Sequence, residues 1–248
     1  ELSVKSNYLN YKLMEMFGNY AFKTRMLKIT YVDTSGEIDS FTSHCFLLEP
    51  NKLVAKRFNM KYVPFKPIDY DAGETGSGPD VNQVTGNIHD ILVEKMTAFQ
   101  FLIGNFDYAI PGYESNFFKG VAFSEKNIKM IKDDDDQFYP LAYDFDFSGF
   151  IERGGCWWEL GNGAFNPNRS QHFSKIGAKC DKEVVKEHFR VDLEEYYYKD
   201  QVKAQFEYFV VTVERWKEKY QEDIKEFTPN YIHNLDIWIS AVAEVVSE

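Results

Sequence analysis

Apolar residues recur at Tyr8, Leu9, Leu13 and Met16, the spacing of one helical face, so the chain opens on a predicted amphipathic helix. Two runs rich in β-branched and aromatic residues follow, Met26 to Val32 and Phe41 to Leu48. The polar stretch from Asp33 to Glu37 between them is turn chemistry, and the pattern predicts a β-hairpin. Leu53 to Arg57 suits a short helix, followed by a loop through Pro79 whose stretch 64–79 collects Pro, Gly, Asp and Ser. From about Pro79 to Ile103, the positions Ile88, Leu92, Met96, Phe99 and Ile103 make a helical stripe to be buried, ending at Gly104 and Asn105. Beyond an irregular segment through Ser124, Ile128 to Ile131 and Tyr139 to Tyr143 flank a turn at Asp133 to Asp136, a second hairpin. A Gly- and Asn-rich loop runs from Arg153 to Gln171, and the remainder reads helical. Val202, Phe206, Phe209, Val213, Trp216 and Tyr220 share one face; Thr228 and Pro229 supply the N-cap and first-turn proline of a last helix burying Leu235, Trp238, Ile239 and Val242. Strands grouped in hairpins with helices in a C-terminal block predict an α+β fold, not alternating βαβ units.

With 248 residues, 44% of them apolar and 17% aromatic, the chain has enough apolar surface for a substantial core, and residues 1–248 read as one domain. The formal net charge of −11, without any cluster of Lys and Arg, argues against a nucleic-acid-binding surface. No apolar run is long enough to span a membrane, and no basic-then-apolar signal peptide opens the chain. The helical pattern begins directly at the first residue, which reads as a cut edge with a further segment expected before it. Cys45, Cys156 and Cys180 fit no zinc spacing; a disulfide with one free thiol, or a bond to a cysteine before residue 1, are both open, and so is the redox compartment.

Candidate chemistry is concentrated between Phe101 and Phe150. Asp107 follows a predicted helix end; Asn127 opens the first strand of the second hairpin; Asp144 and Asp146 leave its second strand. In a continuing strand the last two point to one side, where paired carboxylates repel unless a cation or proton lies between them. Hard oxygen donors of this kind suit magnesium or manganese. Phosphoryl transfer needs metal to neutralise charge and a carboxylate to orient and deprotonate the attacking hydroxyl. On that logic Asp107 is the catalytic carboxylate, Asn127 and Asp144 are the principal metal ligands, and Asp146 supports or shares the metal. Asn116 is a weaker alternative ligand.

The stretches FLIGNFD (101–107), KNIKMI (126–131) and YPLAYDFDFSG (139–149) resemble pieces of the CotH-like (spore-coat H) atypical protein kinase family and its bacterial relatives. The helix and hairpin from Leu9 to Glu49 are similar to the family's as well. The resemblance implies a protein-kinase-like fold of which this chain is mainly the C-terminal lobe, with strands of the small lobe before residue 1. It further implies ATP as donor, a protein hydroxyl as acceptor, and an extracytoplasmic setting. Glu49 would be the acid that pairs with an ATP-anchoring lysine or helps hold metal; equally, it reads as a surface acid beside Pro50.

Other readings compete. Asp144 and Asp146 could simply cap a turn through Ser148 and Gly149. A D-x-D pair also opens the haloacid dehalogenase phosphatases, but those need strands and helices alternating after it. The twelfth position of an EF-hand loop begun at Asp144 would be Gly155 instead of Glu. The four aspartates at 133–136 read as a solvated turn, since four adjacent acids cannot all face one ion. A last alternative keeps the kinase shape without turnover: a pseudokinase or partner-binding module, engaging a partner near Trp157 and Trp158 or burying those rings in its core.

Overall fold

The computed structural model describes residues 2–18, 20–64, 84, 86–103, 105, 108, 110, 114–115, 120–121, 127–145, 181–183, 185–187, 190, 199–227 and 229–248. In chain order its elements are α1 (Leu2–Phe17), β1 (Thr24–Tyr31), β2 (Phe41–Leu48), α2 (Asn51–Arg57), β3 (Lys61–Val63), α3 (Asp90–Leu102), β4 (Glu114–Ser115), β5 (Gly120–Val121), β6 (Ile128–Lys132), β7 (Phe138–Ala142), α4 (Lys199–Lys219), α5 (Gln221–Lys225) and α6 (Pro229–Ser247). This is a mixed α+β fold with small antiparallel sheets.

Every side chain from Tyr8 to Met14 is buried, so α1 is enclosed on all sides and is not the surface helix that a single apolar stripe would suggest. The hairpin β1–β2 and helix α4 both pack against it. Met26, Phe46 and Leu48 turn one hairpin face inward, and the Phe46 ring lies 5.6 Å from that of Tyr11. Buried Lys12 is satisfied locally: its ammonium donates to the Thr24 carbonyl at 2.6 Å and pairs with Glu15 at 2.7 Å. Glu15 also accepts from the Thr24 N–H, so this network pins the start of β1 to α1.

Helices α1, α3 and α4 meet over an aromatic cluster, in which the Phe17 ring lies 5.3 Å from Phe99 and 5.8 Å from Phe209. Two buried indoles close the block. Trp216 donates to the Leu9 carbonyl at 3.1 Å, and Trp238 donates to the Leu102 carbonyl at 3.0 Å, satisfying an acceptor at the end of α3. No helix among the described residues is long and apolar enough to cross a membrane.

Three expectations change. The helix predicted from about Pro79 to Ile103 is broken at 86–89: Val84 is helical, residues 87–89 lie beside Phe138 of β7, and α3 begins at Asp90. Asn87 accepts from the Phe138 N–H at 2.7 Å, His89 donates to the Phe138 carbonyl at 3.0 Å, and Ile88 forms a parallel bridge with Phe138. Within the stretch read as a loop after Arg57, Lys61–Val63 is a third strand that pairs with β6 and places β6 at the centre of the sheet. The segment read as irregular contains the two-residue ribbon β4–β5.

Candidate functional site

The second hairpin is the frame of the candidate site. All five residues of β7 are buried, and Pro140 is tolerated within it as part of the outer strand of the ladder. At the turn end, the Asp133 carboxylate accepts the Asp135 and Gln137 N–H groups and the Tyr139 hydroxyl. The Tyr139 hydrogen bond outweighs the opposing effect of burial, and it holds the Asp133 carboxyl below its ordinary value. Asp134 pairs with Lys61 and Asp136 with Lys132, so the acids of this turn serve the hairpin's own geometry.

The other end carries the sequence-predicted residues. The Tyr143 N–H donates to the Asn127 carbonyl at 3.0 Å, continuing the ladder one pair past the strands and bringing Asn127 and Asp144 to the same mouth of the hairpin. Both have left-handed backbones, with φ of 51° at Asn127 and 62° at Asp144. Asn and Asp adopt this region more readily than other non-glycine residues, yet it still costs on the order of 1 kcal/mol relative to the right-handed region.

Helix α1 holds this mouth in place. The Tyr11 hydroxyl accepts the Asp144 N–H at 2.8 Å, and the Asn10 amide donates to the Phe145 carbonyl at 3.4 Å. Phe145 is sunk in the core, edge-on to Tyr11 at 4.9 Å and to Phe99 at 6.0 Å. The chain at Asp144 therefore does not continue as a strand through Phe145, and the expectation that Asp144 and Asp146 point to one side falls partly outside the described residues. The anchored Phe145 and the left-handed turn before it set the backbone here. Asp144 is half-buried, and no donor reaches its carboxylate among the described residues. A carboxylate oxygen and an amide oxygen are the hard donors that magnesium or manganese takes.

Asp107, Asp146 and Asn116 lie outside the described residues, as do Trp157, Trp158, Cys156 and Cys180. The approach to Asp107 is described up to Asn105. Asn105 is fully buried after the end of α3; its N–H donates to the Gln100 carbonyl at 2.8 Å and its side-chain amide to the Gln100 side-chain oxygen at 3.0 Å. Asn105 is thus tied to α3 by a buried amide pair. Among the described residues no group of three or more His, Cys, Asp or Glu side chains is arranged to hold a metal.

Glu49 lies at the end of β2 in a separate clamp. Its two oxygens take the Arg57 guanidinium at 3.1 and 2.7 Å, one of them also accepts the Lys23 N–H at 3.1 Å, and Arg57 reaches on to the Ala21 carbonyl. Burial pushes the Glu49 carboxyl upward, but the Arg57 and Lys23 hydrogen bonds prevail and hold it below its ordinary value. Among the described residues no hydrogen bond or ion pair joins Glu49 to Asn127 or Asp144. Compared with known protein families and with curated proteins, the chain matches no family model and no curated protein.

Tyr11 and Asn10, which brace the candidate mouth, and Asn105, which is tied to the end of α3, are residues that sequence reasoning passes over. Asn105 lies within FLIGNFD, where a polar residue after an apolar helix end is a visible signal; Tyr11 and Asn10 sit on a helix far away in sequence and give no local signal.

Proposed function

We propose that this chain is a metal- and ATP-dependent kinase-like phosphotransferase acting on a protein hydroxyl. The observation that carries the reading is the mouth of the second hairpin. There Asn127 and Asp144 adjoin, both in left-handed backbone, with the Asp144 carboxylate unengaged among the described residues and its backbone braced by Tyr11 and Phe145. Strained backbone that the surrounding structure over-determines is characteristic of sites where a side chain must be aimed.

In this reading Asn127 and Asp144, with Asp146 in support, hold magnesium or manganese. When bound, the ion neutralises the charge on the transferring phosphoryl group. Asp107 orients the acceptor hydroxyl and takes its proton as the new phosphorus–oxygen bond forms and the bond to the nucleotide leaving group breaks. The resemblance of FLIGNFD, KNIKMI and YPLAYDFDFSG to the CotH-like kinases supports the same assignment and the kinase-like fold that goes with it.

One observation favours a second reading, a partner-binding module of the same shape without turnover. Glu49, which the resemblance assigns to an ATP-anchoring lysine or to metal, is bound on both oxygens by Arg57 and Lys23. ATP binding that requires manganese or magnesium, followed by phosphate transfer to a protein, separates the two. Nucleotide binding without transfer would favour the module; absence of both binding and transfer in a folded chain would overturn the phosphotransferase reading.

A further inference from the structure

At the opposite end of the second hairpin, a groove of about 850 Å³ opens between α2 and β3, lined among others by Lys52, Lys56, Met60, Lys61, Tyr62 and Asp134. Its volume falls within the range of small-molecule pockets, roughly 300 to 1,000 Å³. Lys52 and Lys56 are four residues apart on α2 and so share a helical face, where like charges repel. In this acidic chain the ammonium groups of Lys5, Lys12, Lys132, Lys182, Lys186, Lys217 and Lys225 are paired with carboxylates. Lys52 and Lys56 are exposed and have no such partner among the described residues. Lys61 is held by Asp134 at 2.9 Å, an exposed pair that an incoming anion can exchange.

The groove's apolar wall is fixed by the way α2 ends. Asn59 is left-handed at φ 57°; its N–H donates to the Lys56 carbonyl, and the Met60 N–H donates back to the Ala55 carbonyl at 2.8 Å. This paired closure is the Schellman motif, and it turns the chain sharply so that Met60 and Tyr62 follow directly beside the lysines. Cationic and flat apolar surfaces are thereby joined in one depression.

We propose that this groove binds a small phosphate monoester carrying a flat apolar group. The phosphate is taken by Lys52 and Lys56, and the apolar group lies against Met60 and Tyr62. The site is distinct from the mouth at Asn127 and Asp144. Lys61 pairs with Lys132 at one end of β6 while Asn127 precedes the other, a separation of roughly 16 Å at strand rise. One phosphate group cannot touch both ends, and the proposal does not rest on the phosphotransferase reading.

The test is calorimetric titration of the full 248-residue chain with phenyl phosphate in EDTA, which removes metal-dependent binding elsewhere. Inorganic phosphate and phenol are titrated alongside. Phenyl phosphate is expected to bind more tightly than either fragment, and Lys52→Gln with Lys56→Gln to weaken it about tenfold, the effect of losing two screened charge-assisted hydrogen bonds. Lys28→Gln with Lys219→Gln removes equal charge elsewhere and should leave binding unchanged. Asp134→Asn frees Lys61 and removes a competing acid, and should strengthen it. Absence of binding by the unmodified chain, or equal weakening by the two lysine pairs, overturns the proposal. Folding does not confound the result, since Lys52 and Lys56 are exposed, and the Asp134→Asn arm predicts a gain.

Discussion

At Asp144 a carboxylate sits where the backbone would favour glycine. Its φ of 62° is braced by the Tyr11 hydroxyl on its N–H and by the burial of the next residue, Phe145. If the side chain is kept for chemistry, Asp144→Gly should leave the fold as stable or raise its stability by up to about 1 kcal/mol, because the left-handed cost disappears. The same variant should lose metal-dependent ATP binding. Chemical denaturation and nucleotide titration of one preparation check both halves, and a destabilised Gly variant would mean that the carboxylate serves the fold. Tyr11→Phe keeps the ring against Phe145 but removes the acceptor of the Asp144 N–H. A loss of about 1–2 kcal/mol is expected, together with weaker metal-dependent nucleotide binding in a chain that still folds. Residue type and spacing single out Asn127 and Asp144 as candidates, and the second hairpin brings their backbones to one mouth. Tyr11 was not legible from sequence, because its partner lies 133 positions away and a tyrosine within an apolar helix reads as core.

Among elements, the hairpins and long helices were legible because each carries its own periodicity: β2 spans the Phe41 to Leu48 run read from the sequence, and α6 begins at the proline expected to start it. Strand β3 was not, since three residues carry no period of their own and the strand exists through its pairing with β6. The break at 86–89 before α3 was missed for a related reason. Ile88 fits the helical stripe, but β7 offers its neighbours hydrogen bonds that a helix would forgo. Helix α2 stops at a left-handed Asn59, so Asn59→Gly should be close to neutral, whereas Asn59→Val should cost about 1–2 kcal/mol through its β-branched side chain at positive φ. Thermal or chemical denaturation of the pair measures the difference. The clamp joining β2 to α2 makes a pH-dependent prediction. Glu49 is held below its ordinary value of 4.5, so its contribution is present above that pH and is lost as the pH falls through its lower folded value. Glu49→Gln should therefore cost about 1 kcal/mol at neutral pH, and the gap to the unmodified chain should close in acid. A gap independent of pH would assign the effect to packing.

Across the molecule, one aromatic-rich core gathers α1, α3, α4, α6 and the second hairpin, and the candidate mouth is built where α1 meets the hairpin's exit. This accounts for why an α+β order could be read from pattern while the site's support could not: the acids are local in sequence, but the groups that orient them come from the opening helix. The phosphotransferase reading makes Asp144 indispensable to metal-dependent nucleotide chemistry and makes Glu49, already engaged by Arg57, secondary to it. The most direct measurement is ATP binding and phosphate transfer in manganese or magnesium, with the Asp144→Ala chain compared at equal concentration. The account predicts metal-dependent binding and transfer in the unmodified protein and neither in the variant; a folded protein that binds no nucleotide with either metal would contradict it.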